Sequence, residues 1–325
     1  VSYFHAALRA EQFDEIHISP HMDDSAYSCA GRILQRRREG ARVLVVTVFG
    51  NGKSAPDEAD TGTFSNYEKR LAEELAVMRY LDVDFIWLNY PELLFRKHGA
   101  GDLLRYLFPF TELNGSTHDD LFESLLALIT RHLLPFGSVF FPFAVGFHPD
   151  HRVLFDVGRA LHGLQRFQVT FYEDVPYSTV PALRALRLRA LGMRAPIALV
   201  RSAGDLNLFL FRNFGALRYL TWLPILLYLL SLVLLRALSG AEDKLAAEPD
   251  PEPSTRDIHD TIASKADAMR LYPSQTAFFL TLGPELVEMI KHEGRDEEIS
   301  WTFPAFPSRD ARLSARQKVA ASKSE

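Results

Sequence analysis

The chain has 325 residues, of which 47% are hydrophobic and 24% charged, with a formal net charge of −5. That balance excludes collagen-like, coiled-coil and wholly disordered chains, and the acidic sum leaves no overall basic footprint for nucleic acid. The single cysteine, Cys29, excludes a disulfide framework and any multi-cysteine zinc or iron–sulfur site, so a bound metal must rest on His, Asp and Glu.

The first residues, VSYFHAALRAEQFDE, lack the charged-then-apolar layout of a secretory leader, which predicts a cytoplasmic protein. Five short β-rich runs follow: EIHIS (15–19), ARVLVVTVFG (41–50), DFIWL (84–88), SVFFPF (138–143) and QVTFYE (168–173). Helical periodicity separates them over 26–38, 66–81, 119–134 and 151–164. The alternation predicts an α/β, Rossmann-like three-layer fold over residues 1–180, with a mostly parallel sheet covered by helices on both faces.

Charge then becomes uneven. Residues 181–240 hold eight arginines, no lysine and one acid, a local charge of +7 that leaves −12 for the rest of the chain. Within them, Tyr219–Leu235 is an uncharged apolar run of 17 residues, at the short end of what spans a bilayer. A single crossing would split the fold, so the expectation is a helical insertion that lies on a membrane surface through residues 182–236. Its apolar face would sit in lipid at the inner face of the membrane and its arginines on anionic head groups. A lid over the pocket or a dimer interface is the alternative. Residues 241–260 read as an acidic, proline-rich linker, 261–306 as a return to the core, and 307–325 as a polar disordered tail.

In parallel sheets ligands bind beyond the carboxyl ends of the strands. Two His–Asp clusters fall there: SPHMDD (19–24) after the first strand, and GFHPDHR (146–152) after the fourth, about 125 residues later. His21 and Asp24, three apart at a turn, can reach one ion, with His151 as a third ligand and a position left for water. Asp23 is then free to take a proton from that water, and His148 to meet a developing oxyanion or protonate a leaving amine. This is a set for metal-assisted amide hydrolysis. Aspartates at helix starts are also common N-caps, a role open to Asp23, Asp24 and Asp150.

The two motifs resemble the LmbE/PIG-L family of zinc-dependent N-acetyl-sugar deacetylases, which carries His-Pro-Asp-Asp after its first strand and a later His-x-Asp-His. The resemblance implies His21, Asp24 and His151 as zinc ligands, Asp23 as general base and His148 as stabiliser of the tetrahedral intermediate. RLAEELAVMRYL (70–81) resembles the family's Arg-x-x-Glu helix, and LNYPELLFR (88–96) a loop that brings an acid to the substrate pocket; these imply Arg70 and Glu92 as substrate-binding residues. FYEDVPY (171–177) and KADAMRLYPSQ (265–275) are also family-like. Met22 replaces the commoner proline, and Gly146 stands where some members carry an aromatic residue. The substrate so implied is an N-acetylated amino sugar, on a lipid-linked or amphipathic conjugate if the insertion meets a membrane. The metal could equally be iron(II), because His/carboxylate sites do not choose between such ions by affinity alone. Two rival readings are a magnesium-dependent phosphoryl-transfer enzyme, against which the two histidines count, and a non-catalytic sugar-binding scaffold, against which the base Asp23 counts.

Overall fold

The computed structural model describes residues 13–51, 67–93, 116–132, 137–164, 168–197, 199–211, 218–238, 250–278 and 296–304. Every strand read from the sequence is present: β1 (Glu15–Ser19), β2 (Val43–Asn51), β3 (Asp84–Pro91), β4 (Ser138–Pro142) and β5 (Gln168–Tyr172). These five run parallel, in the order β3-β2-β1-β4-β5. Two antiparallel strands, β7 (Glu297–Thr302) and then β6 (Glu252–Asp257), extend the sheet beyond β5.

The apolar alternation of the strands sorts their side chains onto two faces. Val43 and Val45 join one buried cluster with α1 (Asp24–Arg38), α2 (Tyr67–Tyr80) and α8 (Ile262–Arg270). Ile16, Ile18, Leu44 and Val46 join the other, with α3 (Ser116–His132) and α4 (Pro149–Gly163). The result is the expected three-layer α/β sandwich. Strand order reverses between β1 and β4, neighbours in the sheet whose following helices cover opposite faces, and a crevice opens at such a point. Both His–Asp clusters begin there.

The insertion differs from its sequence reading. Helix α5 (Pro181–Ala190) buries Ala182, Ala185, Leu186 and Arg187 against the core instead of facing lipid. Its arginines are engaged internally: Arg184 Nε donates to Glu173 (2.7 Å), Arg187 Nε to the Phe143 carbonyl (2.6 Å) and Arg189 Nε to the Ala195 carbonyl (2.7 Å). Arg187 also lies over the Phe155 ring, 4.1 Å from its centroid. The reason is that leucines and arginines at helical spacing suit a core with buried acceptors as well as they suit a bilayer. Helix α6 (Leu199–Phe211) packs on α7 (Arg218–Leu238), which buries Ile225 and Leu229 and exposes Leu223, Leu227, Leu230 and Leu234. Among the described residues, no helix is long and apolar enough to cross a membrane.

The linker reading also extends too far, since residues 252–257 form β6. That strand is exposed along nearly its whole length and sits at the sheet edge, where a polar sequence containing Pro253 is tolerated. The tail over 307–325 lies outside the described residues. In the C-terminal return, Lys265 of α8 reaches Glu298 of β7 (2.7 Å), whose carboxylate also accepts the Gly31 and Arg32 amides of α1 (2.8 Å each).

Helix α4 approaches the sheet through Gly158, where an added Cβ would lie 2.8 Å from ring atoms of both Phe141 and Phe171. Gly158→Ala is therefore expected to destabilise the protein by about 1–3 kcal/mol through overpacking. A lower urea midpoint at unchanged slope would bear this out; an unchanged midpoint would contradict it.

Candidate metal centre

The turn after β1 is set by Ser19, whose Oγ donates to the His21 carbonyl (2.6 Å) and accepts from the Ser25 amide (3.0 Å). This folds His21 back over the start of α1. One oxygen of Asp24, Oδ2, accepts from the His21 amide (2.8 Å) and lies 3.0 Å from His21 Nδ1 and 3.3 Å from His151 Nε2. The turn after β4 supplies His151 from the first turn of α4, where a nearly closed environment leaves it 1% exposed. The two motifs thus meet across the crevice.

Each imidazole is held from behind by a buried carboxylate. Asp150 Oδ2 lies 3.0 Å from His21 Nε2 and accepts the Leu93 amide (3.1 Å). Asp174 Oδ1 lies 2.6 Å from His151 Nδ1, and its other oxygen accepts the Val145 amide (2.8 Å). The order Asp150–His21–Asp24–His151–Asp174 alternates acid and imidazole through five groups. Carboxylates placed behind histidines in this way fix ring orientation and raise basicity toward a metal. His21 Nδ1, Asp24 Oδ2 and His151 Nε2 are the atoms left facing one another, and this donor set fits a zinc-like divalent ion.

His148 is distinct. One ring nitrogen of each of His21, His148 and His151 falls within 4.8 Å of the others, so a three-imidazole set is geometrically available. Yet His148 is the N-cap of α4, and its Nδ1 accepts the Asp150 amide (3.2 Å). Burial pushes its pKa down to about 3, against the pull of Asp150. A neutral ring whose Nδ1 accepts carries its proton on Nε2, and in that state Nε2 is a hydrogen-bond donor.

Asp23, by contrast, makes no side-chain cap bond, although it occupies the N-cap position of α1. Burial raises its carboxyl to about 7, with the charge of Asp24 adding to the effect and those of Arg70 and His21 opposing it. Arg70 and Glu92 form an ion pair (2.8 Å), and both are almost fully buried. Gly146, in the left-handed region at φ 85°, packs directly on the Tyr177 ring, leaving no room for a Cβ. Sequence reasoning passed over Asp150, taken as a capping residue, and Asp174, noticed only inside FYEDVPY. The available signal was position: Asp150 lies in the first turn of the helix that follows β4, and Asp174 two residues past β5.

A parallel α/β protein with a switch-point cluster of histidines and acids is the class that fold and site define. Comparison with known proteins narrows it. Residues 16–162 match the family described as PIG-L, GlcNAc-PI de-N-acetylase, the family that the two motifs resemble. The chain is 28% identical over 183 residues to the 2′-N-acetylparomamine deacetylase of Niallia circulans, an alignment spanning 49% of this chain and 66% of that relative. Its fold resembles that of the A40926 pseudoaglycone deacetylase, with a TM-score of 0.56 at 16% identity over 92% of this chain and 100% of that one. It also resembles a teicoplanin deacetylase solved with teicoplanin, with a TM-score of 0.56 at 17% identity over 90% and 99%.

The charges on the two imidazoles set the pH dependence of metal binding. Burial opposes charge on both imidazoles, but the bonds from Asp150 and Asp24 hold His21 charged well above its usual range. Asp24 and Asp174 likewise carry His151 up to about 9. Both rings are then protonated at pH 7, so an arriving divalent ion must displace about two protons and its apparent affinity must rise between pH 7 and 9. Calorimetric titration with zinc in buffers of different ionisation heat measures the number directly; zero protons released would contradict the ligand geometry. Asp174→Asn should weaken zinc binding about 10–100-fold in a chelator competition.

Proposed function

We propose that the protein is a metal-dependent, zinc-type hydrolase that removes the N-acetyl group from an N-acetylated amino sugar. The observation that carries this is the convergence of His21, Asp24 and His151, each imidazole backed by a buried carboxylate, beside a buried acid that no helix cap consumes. His21, Asp24 and His151 would hold the ion. When bound, it supplies Lewis-acid activation of water and of the amide carbonyl.

The protein's own groups account for the proton transfers. Asp23, ionisable near neutrality, accepts a proton from the attacking water and can return it to the departing sugar nitrogen. His148, neutral and protonated on Nε2, donates to the oxyanion that develops on the acetyl oxygen. Arg70 and Glu92, paired beside Asp23 and His21, border the crevice from α2 and the end of β3, where a sugar hydroxyl can meet them. The products are acetate and a free amino sugar. A relative of the same fold, a teicoplanin deacetylase, has been solved in a zinc-inhibited form. Zinc and iron(II) should therefore both be titrated as activators.

The substrate is further read as an amphipathic or lipid-linked glycoconjugate, met at a membrane surface. With the arginines of α5 engaged internally, support for this comes from the exposed leucine row of α7, together with exposed Arg194 and Arg201.

Asp23→Asn is expected to lower acetate release from N-acetylglucosamine conjugates by about 10²–10⁴-fold while leaving the bound metal in place. Metal analysis beside the acetate assay reads both. Full activity in the variant would exclude Asp23 as the base, and acetate release after complete metal removal would exclude the metal mechanism. Conjugates with and without lipid tails, compared in the presence of anionic vesicles, test the amphipathic reading. Equal rates on the two would oppose it.

A further inference from the structure

Behind the base lies a second buried polar group that the reaction does not use directly. Tyr272, at the end of α8, is fully buried and its hydroxyl oxygen lies 2.6 Å from the Met22 carbonyl, in the peptide that leads into Asp23. The same oxygen is in hydrogen-bond contact with Glu74 Oε2. Glu74, on α2, is also fully buried, and its Oε1 accepts the Thr47 hydroxyl of β2 (2.9 Å).

The protons in this chain can be counted. A tyrosine hydroxyl has one proton, and the Met22 carbonyl can only accept. If Tyr272 donates to Met22, a charged Glu74 would press a bare carboxylate oxygen against the phenol oxygen with nothing between them. If Tyr272 donates to Glu74, the Met22 carbonyl is left buried against a second acceptor, at the cost of an unmade hydrogen bond. One additional proton, on Glu74 Oε2, removes the conflict: Glu74 donates to Tyr272, Tyr272 donates to Met22, and Glu74 Oε1 remains free to accept from Thr47.

The geometry points to Glu74 as a neutral carboxylic acid that, through Tyr272, fixes the Met22–Asp23 peptide and so positions the base; this rests on the assignment of Asp23 above. Glu74 and Tyr272 are positioning residues, and neither touches the reacting atoms. The groups around Glu74 agree with its neutrality. Burial raises its carboxyl to about 8, the bond accepted from Thr47 acts the other way, and the charges of Asp23 and Arg70 oppose each other. Its neighbour Glu73 has different partners: it accepts from the Ser274 amide (3.0 Å) and hydroxyl at the start of α9 (Pro273–Phe278). Two adjacent glutamates thus hold the same C-terminal segment, one through Tyr272 and one through Ser274.

Glutamine reproduces a protonated glutamate, because its amide donates where the acid does and its carbonyl accepts from Thr47. Glu74→Gln is therefore expected to keep kcat close to wild type. Tyr272→Phe removes the bond to Met22 and is expected to lower kcat about 10–100-fold, with KM and metal content unchanged, as misplacement of a reacting group does. Difference infrared spectroscopy of the full-length wild type at pH 7 should show a protonated-carboxyl carbonyl band that Glu74→Gln abolishes. Absence of that band, or a Glu74→Gln variant as impaired as Tyr272→Phe, would overturn the inference. Should Tyr272→Phe fail to fold, Glu74→Gln and the infrared band still decide it. A wild type that releases no acetate from any conjugate would overturn the deacetylase reading, and the band would still support or overturn the neutral acid.

Discussion

The site depends on one buried carboxylate oxygen. Asp24 Oδ2 gathers an amide and two imidazoles from segments far apart in the chain, and with Asp24 only 6% exposed it has little help from water. A buried anion is costly unless it is paired and hydrogen-bonded. Here its partners are themselves restrained by Asp150 and Asp174, so three acids and two imidazoles balance one another across the crevice between β1 and β4. The charge pattern needs the two turns to be adjacent, and the sheet order makes them so.

Support for this arrangement comes from both ends of the domain. Leu93, just past β3, donates its amide to Asp150, and Val145, just past β4, donates to Asp174. On the opposite side, the C-terminal return presses α8 onto α1 and α2, with Lys265, Tyr272 and Ser274 each bonded to a glutamate. Residues separated by more than two hundred positions therefore hold the same few turns, and the C-terminal segment is part of the site's scaffold.

Much of this was legible in the sequence for physical reasons. Strands buried on both faces read as continuous apolar runs, and β2 and β4 stand out for that reason, whereas β3, at the sheet edge and partly exposed, is marked by its aromatic and β-branched residues. His21, Asp23, Asp24, His148 and His151 are legible because imidazoles and acids concentrated at strand ends have few structural uses. Asp150 and Asp174 were harder, since an acid that orients a histidine cannot be told from a cap until its partner is known. Strand β6 was hidden because an exposed edge strand carries no apolar alternation. The arginines of α5 misled for a different reason: a guanidinium on an aromatic ring or a carbonyl has the same one-dimensional pattern as one aimed at a phosphate.

The place where the insertion joins the fold has a consequence for how such proteins diversify. Residues 181–249 leave after β5 and rejoin at β6, so the chain between them can change in length without moving any strand that bears the His–Asp clusters. Exchange is not free at the upstream junction, because Arg184 and Arg187 of α5 are fastened to Glu173 and to the Phe143 carbonyl beneath the crevice. A transplant from a relative would have to be cut downstream of Ala195, leaving α5 with its host. It would also have to refill the core positions that Ala203, Ile225 and Leu229 occupy beside α1, α2 and α8.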